Sequence, residues 1–259
     1  MRFLYLSFFY LCIANIACNK GHTPVQNRSN LSVMEREVLV SKGLNPDHVL
    51  RLEKGLVVEG DIFISNEELL DVDKGSSVKL PSAEHYYTGR LVSGGIIRVT
   101  VDVSLPKKIS VAIDSALSRY NNLGLSISFL RVNAFPDIAI IGSSISGITG
   151  ITGFPTVSGP SPVIELNNTL LSSWGLPSIT TVVTHLIGHS IGFHHSDIST
   201  TGCGSFLSVR DSLNATAPAI HIPGTPTTTS ANSWMLTCIS DGINRPFTAV
   251  DIAALNYLY

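Results

Sequence analysis

Residues 185 to 197 read HLIGHSIGFHHSD, and the spacing within this run constrains the fold more than any other feature of the chain. His185 and His189 are four residues apart, which on an α-helix sets both imidazoles on one face, within reach of a single ion. Gly192 follows where the helix must stop, because glycine enters a left-handed turn that a side chain resists. His195, three residues later, can then swing back as a third ligand. Three imidazoles with an open fourth position are the donor set of a catalytic type of zinc site, whereas structural sites are closed by four protein ligands. His194 is the spare, read as a loop residue beside a ligand. Histidines that merely stabilise a core have no need to cluster around a glycine turn.

The helix that carries the pair begins near Pro177 and Ser178, proline being suited to a first turn. Ile179, Val182, Val183, Leu186, Ile187 and Ile191 make it apolar around most of its circumference, so it is expected to be central and buried. Upstream, residues 95–103 (GIIRVTVDV) read as a strand. Pro106 marks the start of a second helix, with Ile109, Ala112, Ile113, Ala116, Leu117 and Tyr120 at helical spacing, and Asn121, Asn122 and Gly124 end it. Residues 125–132 and 137–141 read as strands, 142–153 as a glycine-rich loop and 162–167 as a short strand. This order predicts an α+β fold, a mixed sheet packed against helices. The chain has 259 residues, 44% hydrophobic and 14% charged, enough to bury a sizeable core. Its 17 basic and 19 acidic residues leave a net charge of −2, which gives no reason to expect nucleic acid or an anionic membrane surface as partner.

Arg2 followed by the apolar run 3–17 reads as a secretory signal peptide over residues 1–17, too short for a comfortable membrane anchor. Cys18 directly after Ile16-Ala17 looks like a bacterial lipoprotein signal, although Asn15 stands where leucine is usual; ordinary secretion is the alternative. Residues 18–32 have the composition of a tether. Residues 33–85 mix charge with apolar runs such as 55–65 (GLVVEGDIFIS) and read as an N-terminal region preceding a main domain over 86–259. The chain is therefore expected to be exported, lipid-anchored at Cys18 or secreted, and monomeric. Cys12 leaves with the signal, so Cys203 and Cys238 remain to form a disulfide or to stay as two buried thiols.

The run 185–197 resembles the extended zinc motif of the metzincins, H-E-x-x-H-x-x-G-x-x-H followed closely by an acidic residue. More narrowly, it is similar to the dual-action HEIGH metallopeptidases, named for His-Glu-Ile-Gly-His; this chain has His185-Leu186-Ile187-Gly188-His189. The similarity continues through 221–227 (HIPGTPT), 233–235 (SWM) and 248–259 (TAVDIAALNYLY), and upstream through 57–62 (VVEGDI) and 153–156 (GFPT). The resemblance implies a metzincin-like zincin: a mixed twisted sheet, a central zinc-binding helix, and a C-terminal subdomain with a Met-turn and a terminal helix. It implies that His185, His189 and His195 bind Zn2+, and that Met235, forty residues beyond His195, forms the turn beneath the metal. Asp197 would fix a histidine ligand or the local turn, or be an ordinary turn residue. The substrate would be a peptide or protein. Residues 33–85 would act as a propeptide or cap, with a carboxylate or backbone oxygen near the metal, the alternative being a plain accessory domain packed away from an open cleft.

The departure from the family pattern is Leu186, which stands where the glutamate base belongs. Leucine can neither take a proton from zinc-bound water nor return one to the leaving amine, a loss on the order of 10² to 10⁴ in rate. Ligation does not need that glutamate, so zinc binding is expected to survive. Two readings follow: a metalloendopeptidase that is inactive or strongly impaired, or a zinc-containing pseudopeptidase that binds peptides or a surface partner without cleavage. Glu165 and Asp197 are the carboxylates nearest to substituting for the base.

Overall fold

The computed structural model describes residues 30–47, 49–70, 85–197, 219–226 and 230–259. Residues 1–17, expected to be a signal peptide, lie outside the described residues, as do Cys18 and Cys203. The described chain opens with helix α1 (Val33–Ser41), then strands β1 (Val49–Leu52), β2 (Gly55–Val58), β3 (Ile62–Ser65), β4 (Tyr86–Tyr87) and β5 (Gly95–Val101). It continues through α2 (Lys107–Asn121), β6 (Ile127–Arg131), β7 (Ile138–Ser143), β8 (Gly150–Thr152), β9 (Val163–Asn167), α3 (Asn168–Leu171) and α4 (Leu176–Ser190). β10 (Ile220–His221) and α5 (Ala249–Leu258) close it.

Eight strands form one sheet in the order β1-β2-β3-β8-β9-β7-β5-β6. β9, β7, β5 and β6 run parallel to one another, β8 runs antiparallel to β9, and the sheet is therefore mixed. Alternation decides which face is covered: Ile97 and Val99 of β5 are buried, while Ile96 and Arg98 are exposed. The buried face, with Ile127, Phe129, Ile138, Ile140, Ile164 and Leu166, packs on α2 and α4 in one core. α4 sits at its centre, every residue from Ser178 to Ser190 being buried. Its hydroxyls are accommodated locally: Thr180, Thr181 and Thr184 each donate to the carbonyl four residues back, at 2.7–3.0 Å. The mixed sheet, the central histidine-bearing helix and the terminal helix form a metzincin-like architecture, as the motif resemblance implies.

One detail differs from the sequence reading. The glycine-rich stretch 142–153 is not all loop: β7 runs on to Ser143, and β8 lies inside it. Gly150 is required there, since a Cβ would lie 2.7 Å from both the Glu165 carbonyl and Leu186 Cδ1. The N-terminal residues add to the sheet of the 86–259 segment. β1, β2 and β3 extend it beyond β8, through the parallel pairing of Ile62 with Thr152.

Candidate metal centre

α4 delivers His185 and His189 from adjacent turns, and the chain then reverses. Gly192 takes φ +115°, and a Cβ there would lie 2.5 Å from the Arg90 carbonyl, so only glycine fits. The turn is pinned by Phe193 N–H donating to the Gly188 carbonyl and Thr88 N–H to the Gly192 carbonyl, both at 2.9 Å. His195 is thereby brought back to the pair. His189 Nε2 lies 3.0 Å from His185 Nε2 and 3.2 Å from His195 Nε2. All three rings are buried.

The other ring nitrogens show which tautomers are present. His185 Nδ1 lies 2.8 Å from the Trp234 carbonyl and His189 Nδ1 2.8 Å from the Phe193 carbonyl. A carbonyl can only accept, so both Nδ1 atoms carry hydrogen and, in the neutral rings, both Nε2 atoms present lone pairs. His195 Nδ1 lies 2.9 Å from Glu59 Oε2. The three Nε2 atoms thus converge on a point that a cation would fill.

A carboxylate completes the cluster, and it comes from far upstream. Asp61 Oδ2 lies 2.8 Å from His185 Nε2, and Oδ1 lies 3.2 Å from His195 Nε2 and 3.6 Å from His189 Nε2. Among the described residues, Asp61 Oδ1 is buried with no hydrogen-bond donor of its own. The four donor atoms lie within 4.8 Å of one another. A tetrahedral zinc with Zn–N of about 2.0–2.1 Å spaces its donors about 3.3 Å apart, and the 3.0 and 3.2 Å separations of His189 Nε2 from the other two rings lie close to that. Burial disfavours charge on Asp61, yet His195, His189 and His185 around it hold its carboxyl well below the usual range. Burial likewise opposes charge on His195, but Asp61 and Glu59 raise it to about 10. For His189 burial prevails and lowers it to about 4.

Asp61 and Glu59 form the tip of the β2–β3 hairpin. Val58 pairs with Ile62, leaving Glu59, Gly60 and Asp61 as the loop. Glu59 and Gly60 both adopt positive φ, 54° and 95°. In the sequence, VVEGDI carries part of the family resemblance but assigns these two residues no role. The local signal is a glycine flanked by two carboxylates between apolar strand-like runs, which marks a hairpin tip but not its destination.

The remaining site residues support rather than ligate. Met235 is fully buried beneath α4; a Cβ on Gly188 would lie 2.5 Å from its Sδ. The turn around it is tied by Ser196 N–H donating to the Met235 carbonyl at 2.9 Å. Asp197 accepts from Thr237 N–H at 3.1 Å and Thr237 Oγ1 at 2.6 Å, so it braces the segment after that turn. Trp234 N–H donates to Tyr120 Oη, which donates to the Thr184 carbonyl, locking α2 to α4 beside the first ligand. Leu186 is buried against β8. Glu165 alternates with Ile164 and Leu166, which face the core with α4, so its carboxylate belongs to the opposite face of the sheet. Cys238 is among the described residues, but Cys203 is not.

A family model described as dual-action HEIGH metallo-peptidase matches residues 56–259, a span that includes the tip of the β2–β3 hairpin. Comparison with curated proteins gives no match. Among solved structures, myroilysin is similar at 15% identity, covering 66% of this chain and 82% of that one, with a TM-score of 0.46. High choriolytic enzyme 1, a hatching enzyme zinc-protease from Oryzias latipes, is similar at 15% identity, covering 71% and 98%, with a TM-score of 0.43. The family match and the donor set of three histidines and one aspartate together make Zn2+ the cofactor.

Proposed function

Since the chain belongs to the dual-action HEIGH metallo-peptidase family, we propose that it is an exported zinc metalloendopeptidase-type protein whose hydrolytic step is blocked twice over. Peptide hydrolysis at such a centre needs a water on the metal and a base beside it. Asp61 stands at the fourth donor position where the water would bind. Leu186 stands where the base would be, and it has no group that titrates. The second observation carries the reading, because it holds whether or not the hairpin moves. Glu165, on the far face of the sheet, and Asp197, engaged with Thr237, are poorly placed to substitute. The runner-up is a zinc-containing pseudopeptidase that binds peptides without cutting. Leu186 favours it, since a buried leucine removes the base and leaves the metal ligands intact.

Export rests on the leader-like run before Cys18, with lipid attachment at Cys18 or free secretion as its two forms. Oxidising surroundings would then join Cys203 to Cys238, closing a loop for which the chain-entropy model gives about 3 to 4 kcal/mol. The intact mass of unreduced, alkylated protein would carry no label on these two cysteines; two labelled thiols would rule the bridge out.

The test of function is a double variant. With zinc saturating, Leu186→Glu combined with Asp61→Ala should raise hydrolysis of an unstructured peptide at neutral pH by at least about 10² over the parent. Leu186→Glu alone should gain less, and Leu186→Gln with Asp61→Ala nothing, because glutamine is not a base. A chelator should abolish the gain. If the parent chain already cuts efficiently, the impaired reading is wrong; if the double variant binds zinc and cuts nothing, the pseudopeptidase reading replaces it.

A further inference from the structure

We propose that the metal centre is a staple: Asp61 and Glu59, on one hairpin tip, complete it jointly with α4, and Glu59 is the positioning residue for the ligand His195. The proposal rests on the zinc reading above and concerns what holds the N-terminal residues to the rest of the chain.

The orientation of the three rings carries the argument. A ligating imidazole is aimed by whatever its other nitrogen bonds, and losing that partner typically weakens metal binding 10- to 100-fold. For His185 and His189 the partners are the carbonyls of Trp234 and Phe193, both within the 86–259 segment. For His195 the partner is Glu59 Oε2, from the hairpin. The 86–259 segment by itself therefore aims two of its three ligands through these bonds. Glu59 is in turn fixed: Asn45 N–H donates to its Oε1 at 2.9 Å, so its carboxylate bridges the N-terminal core and the metal ligand.

Charge points the same way. Three neutral imidazoles leave a zinc ion at +2, in a centre whose residues are all buried. Asp61 at the ion and Glu59 behind His195 supply two negative charges and bring the cluster to neutrality, as a buried site requires. A cover that merely lay over an otherwise complete site would leave ligand orientation and charge unchanged when it lifted. Withdrawing this hairpin removes one donor, one ring-orienting acceptor and both counter-charges at once. The backbone is committed to the arrangement too: Glu59 adopts a left-handed conformation unusual for a side-chain-bearing residue, and Thr152 N–H donates to the Asp61 carbonyl at 3.0 Å.

The experiment uses the full chain, stripped of metal and titrated with Zn2+ against a chelator, and with Co2+ as a spectroscopic probe. Glu59→Gln, nearly isosteric, should lower zinc affinity 10- to 100-fold while keeping the intense visible bands of four-coordinate Co2+, because the donor atoms are unchanged. Asp61→Asn should lower affinity and also alter those bands, because a donor is changed. Amide exchange of residues 55–65 should slow when zinc is added to the parent chain and should not slow in Asp61→Asn. Parent-like affinity in both variants would overturn the staple. So would zinc that protects residues 185–195 of the parent but leaves 55–65 unchanged, a measurement that needs no variant to fold. Failure of the zinc reading itself looks different: the parent takes up no zinc, and His189→Ala behaves as the parent does.

Discussion

Gly192 is where one missing side chain decides the geometry of the metal centre. Its φ of +115° and the 2.5 Å approach of the Arg90 carbonyl to a hypothetical Cβ act together, so neither rotation nor a small shift relieves both. Gly192→Ala should cost about 2 kcal/mol or more from left-handed strain plus overpacking. The turn relaxes by moving His195, so zinc affinity should fall along with the melting temperature. Thermal melts with and without zinc, beside chelator competition, test this; unchanged affinity in a folded variant would mean that the turn does not aim His195. This glycine and the histidine spacing are legible in sequence because the information is local, contained in one helix and the turn that follows it. Glu59 and Asp61 are not, because they meet His195 and His185 across 136 and 124 residues, and nothing local records such a meeting.

At the scale of elements, α4 is held from three sides. α2 reaches it through Tyr120 and the Thr184 carbonyl, the segment before α5 through Gly242 N–H to Ser178 Oγ and Arg245 N–H to Thr181 Oγ1, and the chain's last residue through the Tyr259 hydroxyl. Tyr259 Oη donates to the Ile191 carbonyl at the end of α4 and accepts from Val92 N–H at 3.3 Å. Tyr259→Phe leaves that carbonyl without this donor and should cost about 1–3 kcal/mol. Denaturant unfolding would measure it, and a loss below a few tenths would show that water replaces the hydroxyl freely. The long elements are readable because α2 and α4 repeat apolar residues at helical spacing over fifteen residues each. β8 is not, since three residues containing a glycine carry no alternation, and its strand character comes from β9 and β3 on either side. With β8 hidden, the attachment of the N-terminal strands to the sheet is hidden too.

At the scale of the whole molecule, the described residues form two hydrophobic cores. The larger surrounds α2, α4 and the central strands. The smaller gathers Val38, Leu39, Leu44, Val49, Leu56, Val58, Ile62, Ile64 and Leu69 from the N-terminal residues, with Phe154 as the contribution from the other side. Between the cores the sheet is continuous through the single registered pair Ile62 and Thr152. One such pairing is a weak mechanical joint beside a four-donor metal site that draws ligands from both sides. Zinc at a free concentration of about 100 times Kd adds about 2.7 kcal/mol to the folded state by linkage alone. Its effect on cooperativity should be larger than its effect on stability, because the ion binds only when both sides are assembled. Scanning calorimetry should therefore give a single transition in zinc, with calorimetric and van't Hoff enthalpies equal. In chelator the calorimetric enthalpy should exceed the van't Hoff value as the smaller core melts first, and amide exchange should place the early loss in residues 33–65. A single, merely lowered transition in chelator would mean that β3 on β8 and Phe154 couple the two cores without the metal.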